Sequence, residues 1–316
     1  MARFRKAVLF YNPVSGDHTN REAQVRAVAA ILRPLADEFL VESTRHAGSG
    51  EMQTREAIAA GCDLVIAAGG DGTVFEILQG VAQSDVALAV IPLGTGNVLA
   101  VDLALPPDPI RAAQSLLSYQ PQRIALGRII SSGREPKFFT VAAGVGVHAE
   151  LIYNSGTAAK KRTGILAYYV SGIHLLFAHR FVPFKAEITM PDGRIIHDEF
   201  LEMVAMRVSS FGRWLKRWRP GASLSSPHMQ LVLLKQSSRW AMARYIVGAL
   251  TGRAHRNDQT SRSAHVTFVS ATRVRCTPID HTKRIRAQAD GEMLGEMPAE
   301  LEILPSALTL LMPAQK

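Results

Sequence analysis

Residues Leu64 to Val81, LVIAAGGDGTVFEILQGV, constrain the fold more than any other stretch of the chain. An unbroken apolar run, Leu64-Val65-Ile66-Ala67-Ala68, stops at Gly69-Gly70-Asp71-Gly72-Thr73. Val74, Phe75, Ile77, Leu78 and Val81 then recur at helical spacing. The pattern predicts a buried strand, a glycine turn and a helix. Three glycines at that junction leave backbone N–H groups uncovered at the positive end of the helix, which suits an anion and above all a phosphate. Asp71 runs against simple anion binding. A carboxylate repels bound phosphate unless a divalent cation lies between them or the carboxylate is there to take a proton. Its presence points to chemistry beyond binding.

The flanking sequence repeats the same rhythm. Lys6 to Tyr11 reads as a first buried strand ending in Asn12-Pro13-Val14-Ser15-Gly16. Arg21 to Phe39 carries Val25, Val28, Ala29, Leu32 and Leu35 on one helical face, and Phe39 to Ser43 follows as a strand. Glu51 to Ala60 predicts a second helix. Val86 to Ile91 is a further apolar run, stopped by Pro92-Leu93-Gly94-Thr95-Gly96-Asn97. Strands alternating with helices imply a parallel sheet covered on both faces, with its functional loops gathered at the carboxyl ends of the strands.

Beyond Pro106-Pro107-Asp108-Pro109 the rhythm changes. A helix at Ile110 to Ser118 gives way to short β-like runs at Gln122–Ile130, Lys137–Ala143, Phe184–Met190, Leu201–Val208, Gln230–Lys235, Ala264–Val269, Arg273–Cys276 and Leu301–Leu304. Two helical segments interrupt them, Thr163 to His179 and Arg239 to Leu250. At 316 residues the chain is too long for one typical core. Two domains are expected: an α/β nucleotide-binding domain over residues 1–123 and a mostly antiparallel β-sandwich over 124–304, with the tail at about 305–316 packing back on the first.

A formal charge of +9 and a pI near 9.8 imply a polyanionic partner, either an anionic membrane surface or nucleic acid. The basic residues cluster in two segments without a recognised nucleic-acid motif, and nucleic acid is not expected. Arg213-Trp214-Leu215-Lys216-Arg217-Trp218-Arg219 sets two tryptophans among four cations, a composition suited to a lipid headgroup layer; Arg239, Arg244, Arg253 and Arg256 mark the second segment. The bland alternative for both is a core edge with a solvated basic rim. Cys62 and Cys276 supply neither a disulfide framework nor metal-ligand spacing. No apolar run approaches the roughly 18 residues of a membrane span. A cytoplasmic protein associated peripherally with a membrane is the expected localisation.

Each motif also has a structural reading. Asn12 to Gly16 is a strand-ending turn by composition, but its place beside the Gly69 loop favours a site. Thr95 and Asn97 suit the base or ribose of a nucleotide, while Asn97 also suits the N-cap of a helix starting at Val98. Gly144-Val145-Gly146-Val147-His148-Ala149 spells a dinucleotide fingerprint without its βαβ context and is discounted, and His148 reads as structural. Asp290-Gly291 is a strong hairpin-turn signal. The adjacent Glu292 has an alternative role as a second carboxylate brought to a site as base or metal ligand.

In order, NPVSG, AAGGDGTVFE, IPLGTGNVLA, KKRTGILA (Lys160 to Ala167), ADGE and LPSALTLLMP resemble the diacylglycerol kinase catalytic-domain family, the superfamily of bacterial soluble lipid kinases and sphingosine kinases. The resemblance spans nearly the whole chain. It implies an N-terminal domain like those of NAD kinases and phosphofructokinases, a C-terminal β-sandwich domain, ATP with Mg²⁺, and a lipid hydroxyl as phosphoryl acceptor. It further implies nucleotide contacts from Asn12, Pro13, Val14, Ser15, Gly16, Thr44, Gly70, Asp71, Gly72, Thr73, Glu76 and Thr95. Gly69, Gly94, Gly96 and Asn97 complete the same loops. Glu292 matches the family's proton acceptor; Asp71 matches the residue given that role in other parts of the family and is the candidate for the catalytic Mg²⁺. A lipid substrate, an anionic membrane surface and a homodimer are the expected partners.

Three departures bear on the acceptor and the metal. The family's G-F-D-A is Gly146-Val147-His148-Ala149, which lacks the acidic group that reads the acceptor hydroxyl in sphingosine kinases. Asn97-Val98 replaces the N-D common in diacylglycerol kinases. Ser225-Ser226-Pro227 replaces a D-D-G turn that holds a structural Mg²⁺ in one bacterial branch, and no metal is expected there. The expected reaction is γ-phosphoryl transfer to a diacylglycerol-type hydroxyl. A sphingoid base or other long-chain alcohol is the alternative acceptor, and a nucleotide-binding regulator without turnover is the alternative of another class.

Overall fold

The computed structural model describes residues 2–13, 21–146, 149, 182–209, 222–235 and 266–314. Val14 to Gly16, His148, the Lys160–Ala167 stretch, both basic segments and the two helices expected near 163–179 and 239–250 lie outside them. The chain divides into two units, residues 1–126 with 304–316 and residues 127–303.

In the first unit, β1 (Phe4–Tyr11), β2 (Ala36–Ser43), β3 (Leu64–Gly69) and β4 (Ala87–Pro92) form a parallel sheet in the order β2-β1-β3-β4. Every residue of β3 and β4 is buried, as their unbroken apolar runs require of a sheet covered on both faces. The crossover carrying α1 (Arg21–Leu32) leads from β1 toward one edge. Those carrying α2 (Gly50–Ala59) and α3 (Asp71–Val81) lead the other way. Right-handed crossovers therefore put α1 on one face and α2 and α3 on the other. Accordingly α2 packs on α3, while α1 packs on α5 (Pro109–Leu116), which follows the short α4 (Val98–Asp102). The helix expected to reach Phe39 ends at Leu32. Pro34 has no N–H for the carbonyl four residues back, so Arg33–Leu35 form a 3-10 turn and β2 begins at Ala36.

Strand β5 (Gln120–Ser131) leaves the first unit and enters the second. There it pairs with β6 (Lys137–Phe139). The second unit is antiparallel throughout its described strands. Strands β7 (Ala142–Gly146), β10 (Glu202–Met206), β11 (Met229–Leu234), β12 (Val266–Ala271), β14 (Arg286–Ala289) and β15 (Glu292–Glu296) make one sheet in the order β12-β11-β10-β7-β14-β15. In the other, β8 (Phe184–Thr189) pairs with β9 (Ile195–Phe200) and β13 (Arg273–Pro278), which pairs with the start of β16 (Ala299–Met312). Further along, β16 returns to the first unit, where Thr309 and Leu310 pair in parallel with Ala87 and Leu88. Arg123 fastens this return by donating to the Ser84 and Ser306 carbonyls and the Thr309 hydroxyl.

Two departures from the sequence pattern have clear causes. The single run expected at Lys137–Ala143 is broken into β6 and β7 because the amides of Thr140 and Val141 turn toward the half-buried carboxylate of Asp290. Strand β9 is absent from the sequence reading because His197, Asp198 and Glu199 dilute its apolar content; it is a half-exposed edge strand, joined to β8 by a turn with Gly193 at φ 83°. Gly144 and Gly146 sit in β7, where a Cβ would lie 2.8 Å from the Met203 carbonyl oxygen and 2.6 Å from that of Leu201. Close approach of β10 explains those glycines, and dinucleotide binding is not needed. Both cysteines are buried and unpaired. Among the described residues no helix is long and apolar enough to cross a membrane.

Candidate active site

The site is built where β3 and β4 end side by side. The Leu93 amide donates to the Gly69 carbonyl at 2.9 Å, so the two exit loops leave the sheet together. A Cβ on Gly94 would stand 2.5 Å from the Gly70 Cα, one on Gly69 2.4 Å from the Thr73 Cβ, and one on Gly96 2.4 Å from Asp71 Oδ2. At Gly94 the two loops touch backbone to backbone, whereas Gly69 makes room for the Thr73 side chain and Gly96 for the Asp71 carboxylate. Gly70 is the N-cap of α3 in extended conformation and has no side chain to cover the first-turn amides. An 11-residue helix thus presents its positive end beside a second glycine loop.

Asp71 opens α3 and is half-buried. Its Oδ1 accepts from the Val98 amide at 2.7 Å, so Asp71 caps α4 from across the loop pair. That position had been expected of Asn97. Asn97 does precede the helix, but in the left-handed conformation (φ 49°, ψ 47°), which aims its side chain back at its own loop. Its Oδ1 accepts from the Gly94 amide at 3.0 Å and its Nδ2 donates to the Gly94 carbonyl at 2.7 Å. Asn97 therefore shapes the Gly94–Gly96 turn, and Thr95 at its tip is exposed.

Glu76, on the same helix one turn further on, grips the start of α2. Its two oxygens accept from the Gly48 amide at 2.8 Å and the Gly50 amide at 3.0 Å, and a carboxylate at a helix N-terminus is also favoured by the helix dipole. Thr44, buried at the end of β2, donates its amide to the Tyr11 carbonyl at 2.8 Å and draws the 44–50 loop to the end of β1. Replacing Glu76 with Ala is expected to remove both bonds and cost about 2 kcal/mol, read as a lower midpoint in thermal unfolding. An unchanged midpoint would show that the 44–50 loop is held by other groups.

Asn12 and Pro13 end β1; Asn12 is half-buried and Pro13 exposed. One residue missed by the sequence reading is Arg21. It is 5% exposed and donates from Nη1 to the Leu93 carbonyl at 3.2 Å, which brings a cation under the end of β4. The sequence did carry a signal for it: Arg21 lies on the same helical stripe as Val25, Val28 and Leu32, and all four are buried.

In the second unit, Asp290 and Gly291 join β14 to β15 with φ of 47° and 89°, the backbone of a tight hairpin turn. Glu292 is the exposed first residue of β15. Asp290 is half-buried. Its carboxylate takes three backbone amides, Thr140, Val141 and Ala142, each at 2.9 Å, and the Thr140 hydroxyl at 3.2 Å. Burial pushes its pKa up to about 6, although all four donors pull it down. Gln288 adds a bond from the Gly291 amide. The turn that carries Glu292 is thus held by a partly buried polar network. Among the sequence candidates, the structure gathers Gly69, Gly70, Asp71, Gly94, Gly96 and Asn97 into one loop pair, and Glu292 belongs to the other unit.

Comparison with known proteins gives the family and the fold. Residues 6–129 match the diacylglycerol kinase catalytic domain, and residues 139–312 match the YegS C-terminal NAD kinase beta sandwich-like domain. The chain belongs to the diacylglycerol kinase catalytic-domain family. It is 30% identical to a diacylglycerol kinase of Bacillus subtilis over 99% of this chain and 98% of that protein. A diacylglycerol kinase of Mycobacterium tuberculosis is 28% identical over 98% and 95%. The fold matches a crystal structure of a diacylglycerol kinase from Bacillus anthracis with a TM-score of 0.72 at 24% identity, covering 99% of this chain and 98% of that one. The glycine loops, Asp71 and the ends of β1 to β4 all fall in the part that matches the diacylglycerol kinase catalytic domain.

Proposed function

We propose that this family member is an ATP-dependent lipid kinase that transfers the γ-phosphoryl group to a lipid hydroxyl of the diacylglycerol type. In this reading the first unit takes the nucleotide and the second takes the lipid. The observation that carries it is the contact of two glycine loops around Asp71 at the head of α3. Amides there can receive phosphate oxygens, with the Asn97 side chain holding one loop in shape. Phosphoryl transfer asks a protein mainly for in-line positioning and neutralisation of charge, which these groups suit. The acceptor hydroxyl oxygen bonds to the γ-phosphorus, the bond to the β,γ-bridging oxygen breaks, and the hydroxyl proton passes to a carboxylate. Glu292 is the proposed proton acceptor, with Asp71 as the alternative.

Among the described residues no three His, Cys, Asp or Glu side chains gather into a metal group. A cation that arrives on the nucleotide's phosphates and takes one protein carboxylate fits that, and Asp71 would hold it. Such a Mg²⁺ would neutralise the β- and γ-oxygens. The excess of positive charge favours docking on an anionic cytoplasmic membrane face, where the lipid is reached.

Incubation with labelled ATP, Mg²⁺ and a panel of diacylglycerol, ceramide, sphingoid and other long-chain alcohols tests the whole proposal. Label in diacylglycerol is the expected result; label only in a sphingoid base or long-chain alcohol moves the acceptor. ATP binding without label in any lipid favours a regulator. Glu292→Gln, at an exposed turn, is expected to keep the fold and ATP binding while lowering kcat at least about 100-fold. Full activity in that variant would leave Asp71 as the proton acceptor.

A further inference from the structure

The turn that departs from the metal-binding D-D-G already contains a cation. Arg207 follows β10 directly, is 1% exposed and is the largest fully buried side chain of the described residues. Its Nη1 donates to the Ser226 carbonyl at 2.7 Å and the His228 carbonyl at 2.8 Å, and its Nη2 donates to the Leu224 carbonyl at 2.8 Å. Its own amide is anchored on the Val141 carbonyl at 2.9 Å. Three main-chain oxygens from five consecutive residues thus converge on one guanidinium. The turn bends to do so, with the Ser226 amide on the Ser223 carbonyl at 3.0 Å, before β11 begins at Met229.

Those three oxygens make a donor set that wants positive charge. Residues 221–228, GASLSSPH, contain no Asp or Glu to complete a divalent site, and a hard cation bound by neutral carbonyls alone would be held weakly. A structural Mg²⁺ does not fit this turn. Arg supplies instead a cation that never dissociates, with planar donors able to serve several carbonyls at once. Burial lowers the guanidinium pKa to about 10, so it stays charged at neutral pH.

We propose that Arg207 is an internal, chain-supplied cation that closes the carbonyl cage of the 224–228 turn and makes this part of the fold independent of divalent metal. The bonds also join the chain at residue 207 to the chain at 224–228, clamping together the two ends of the segment between them. An arginine here and a carboxylate-rich, metal-loaded turn are alternative solutions to one electrostatic problem.

Thermal unfolding of the nucleotide-free protein tests this directly. The midpoint is expected to agree within about 1 °C in excess EDTA and in millimolar MgCl₂, since no structural metal is linked to folding. A midpoint that falls in EDTA and returns with Mg²⁺ would overturn the proposal. Arg207→Ala is expected to lower the midpoint by about 5 °C or more, because three buried acceptors lose their donors. In that variant ethylguanidinium at about 20 mM, but not neutral ethylurea, should recover part of the loss by filling the cage. Equal effects of the two compounds would overturn the idea that the cage selects a cation. Should the Ala variant not fold, Arg207→Lys decides: it keeps the charge without the planar fork and should fold with a midpoint below that of the wild type. A Lys variant as stable as wild type would show that the three-carbonyl geometry is not needed.

Discussion

Replacing Asp71 with Asn is expected to leave the protein folded and to abolish phosphoryl transfer. The carboxylate has one duty seen in the structure and a second proposed for it, and Asn separates them. An amide oxygen can still accept from the Val98 amide, so the cap on α4 survives. The negative charge is lost, and with it any hold on a cation or a proton. A fall in kcat on the order of 1,000-fold is expected, with the unfolding midpoint within about 1 °C of wild type. Asp71→Ala should lose the activity and also about 1 kcal/mol of stability, because the cap goes too. An Asn variant with full turnover would remove Asp71 from the chemistry and leave it a helix cap. The pair of variants is read by lipid phosphorylation and thermal unfolding on the same preparations.

The largest effect on stability is expected at Asp290. Asp290→Ala leaves three amides and a hydroxyl facing a void, and unsatisfied buried donors cost about 1–3 kcal/mol each before relaxation or entering water reduces the sum. A net loss of about 4 kcal/mol is reasonable, a fall in midpoint of about 10 °C for a unit of this size. Asp290→Asn should lose less, because one oxygen still accepts, but its NH₂ must face two donors.

The sign of the pH dependence follows from the raised pKa. With the folded value near 6 and the unfolded one near 3.8, the folded state holds the proton more tightly between those limits. Wild-type stability from this group is therefore fully present below about pH 4 and is lost as pH rises through 6, on the order of 3 kcal/mol in all. The Asn variant has no such proton. Its deficit relative to wild type should be larger at pH 4.5 than at pH 7.5 in chemical denaturation. A deficit that grows toward neutral pH would mean that the four donors hold the carboxylate ionised in the fold. Either variant should also disturb Glu292, two residues on along the same turn.

Much of the first unit was legible because its signals are local. Six-residue apolar runs ending in glycine or proline become strands buried on both faces, and period-3.6 apolar stripes become α1 and α3. The errors came where one or a few residues outweighed the pattern. Pro34 ended a helix early, Asp290 split one strand into two, and the polar residues of β9 hid an edge strand. In the site, GGDGT and GTGN announced two glycine loops that follow buried strands. Their contact, Gly94 against Gly70, was not legible, since 24 residues separate them and only the sheet brings their strands side by side.

What the sequence by itself determined is the chemistry available: uncovered amides after a buried strand, an acidic residue among them, an Asp-Gly turn with a following Glu, and an excess of positive charge. Spacing and residue type fix those properties before anything folds. The tertiary structure alone decided which polar group serves which. Asp71 and not Asn97 caps α4, Asn97 is turned on Gly94, and Arg207 fills a cage of carbonyls that a serine turn could not have announced. Each of these pairings depends on where a backbone amide or carbonyl is left without its helical or sheet partner, and such leftovers arise only where separate elements end against one another.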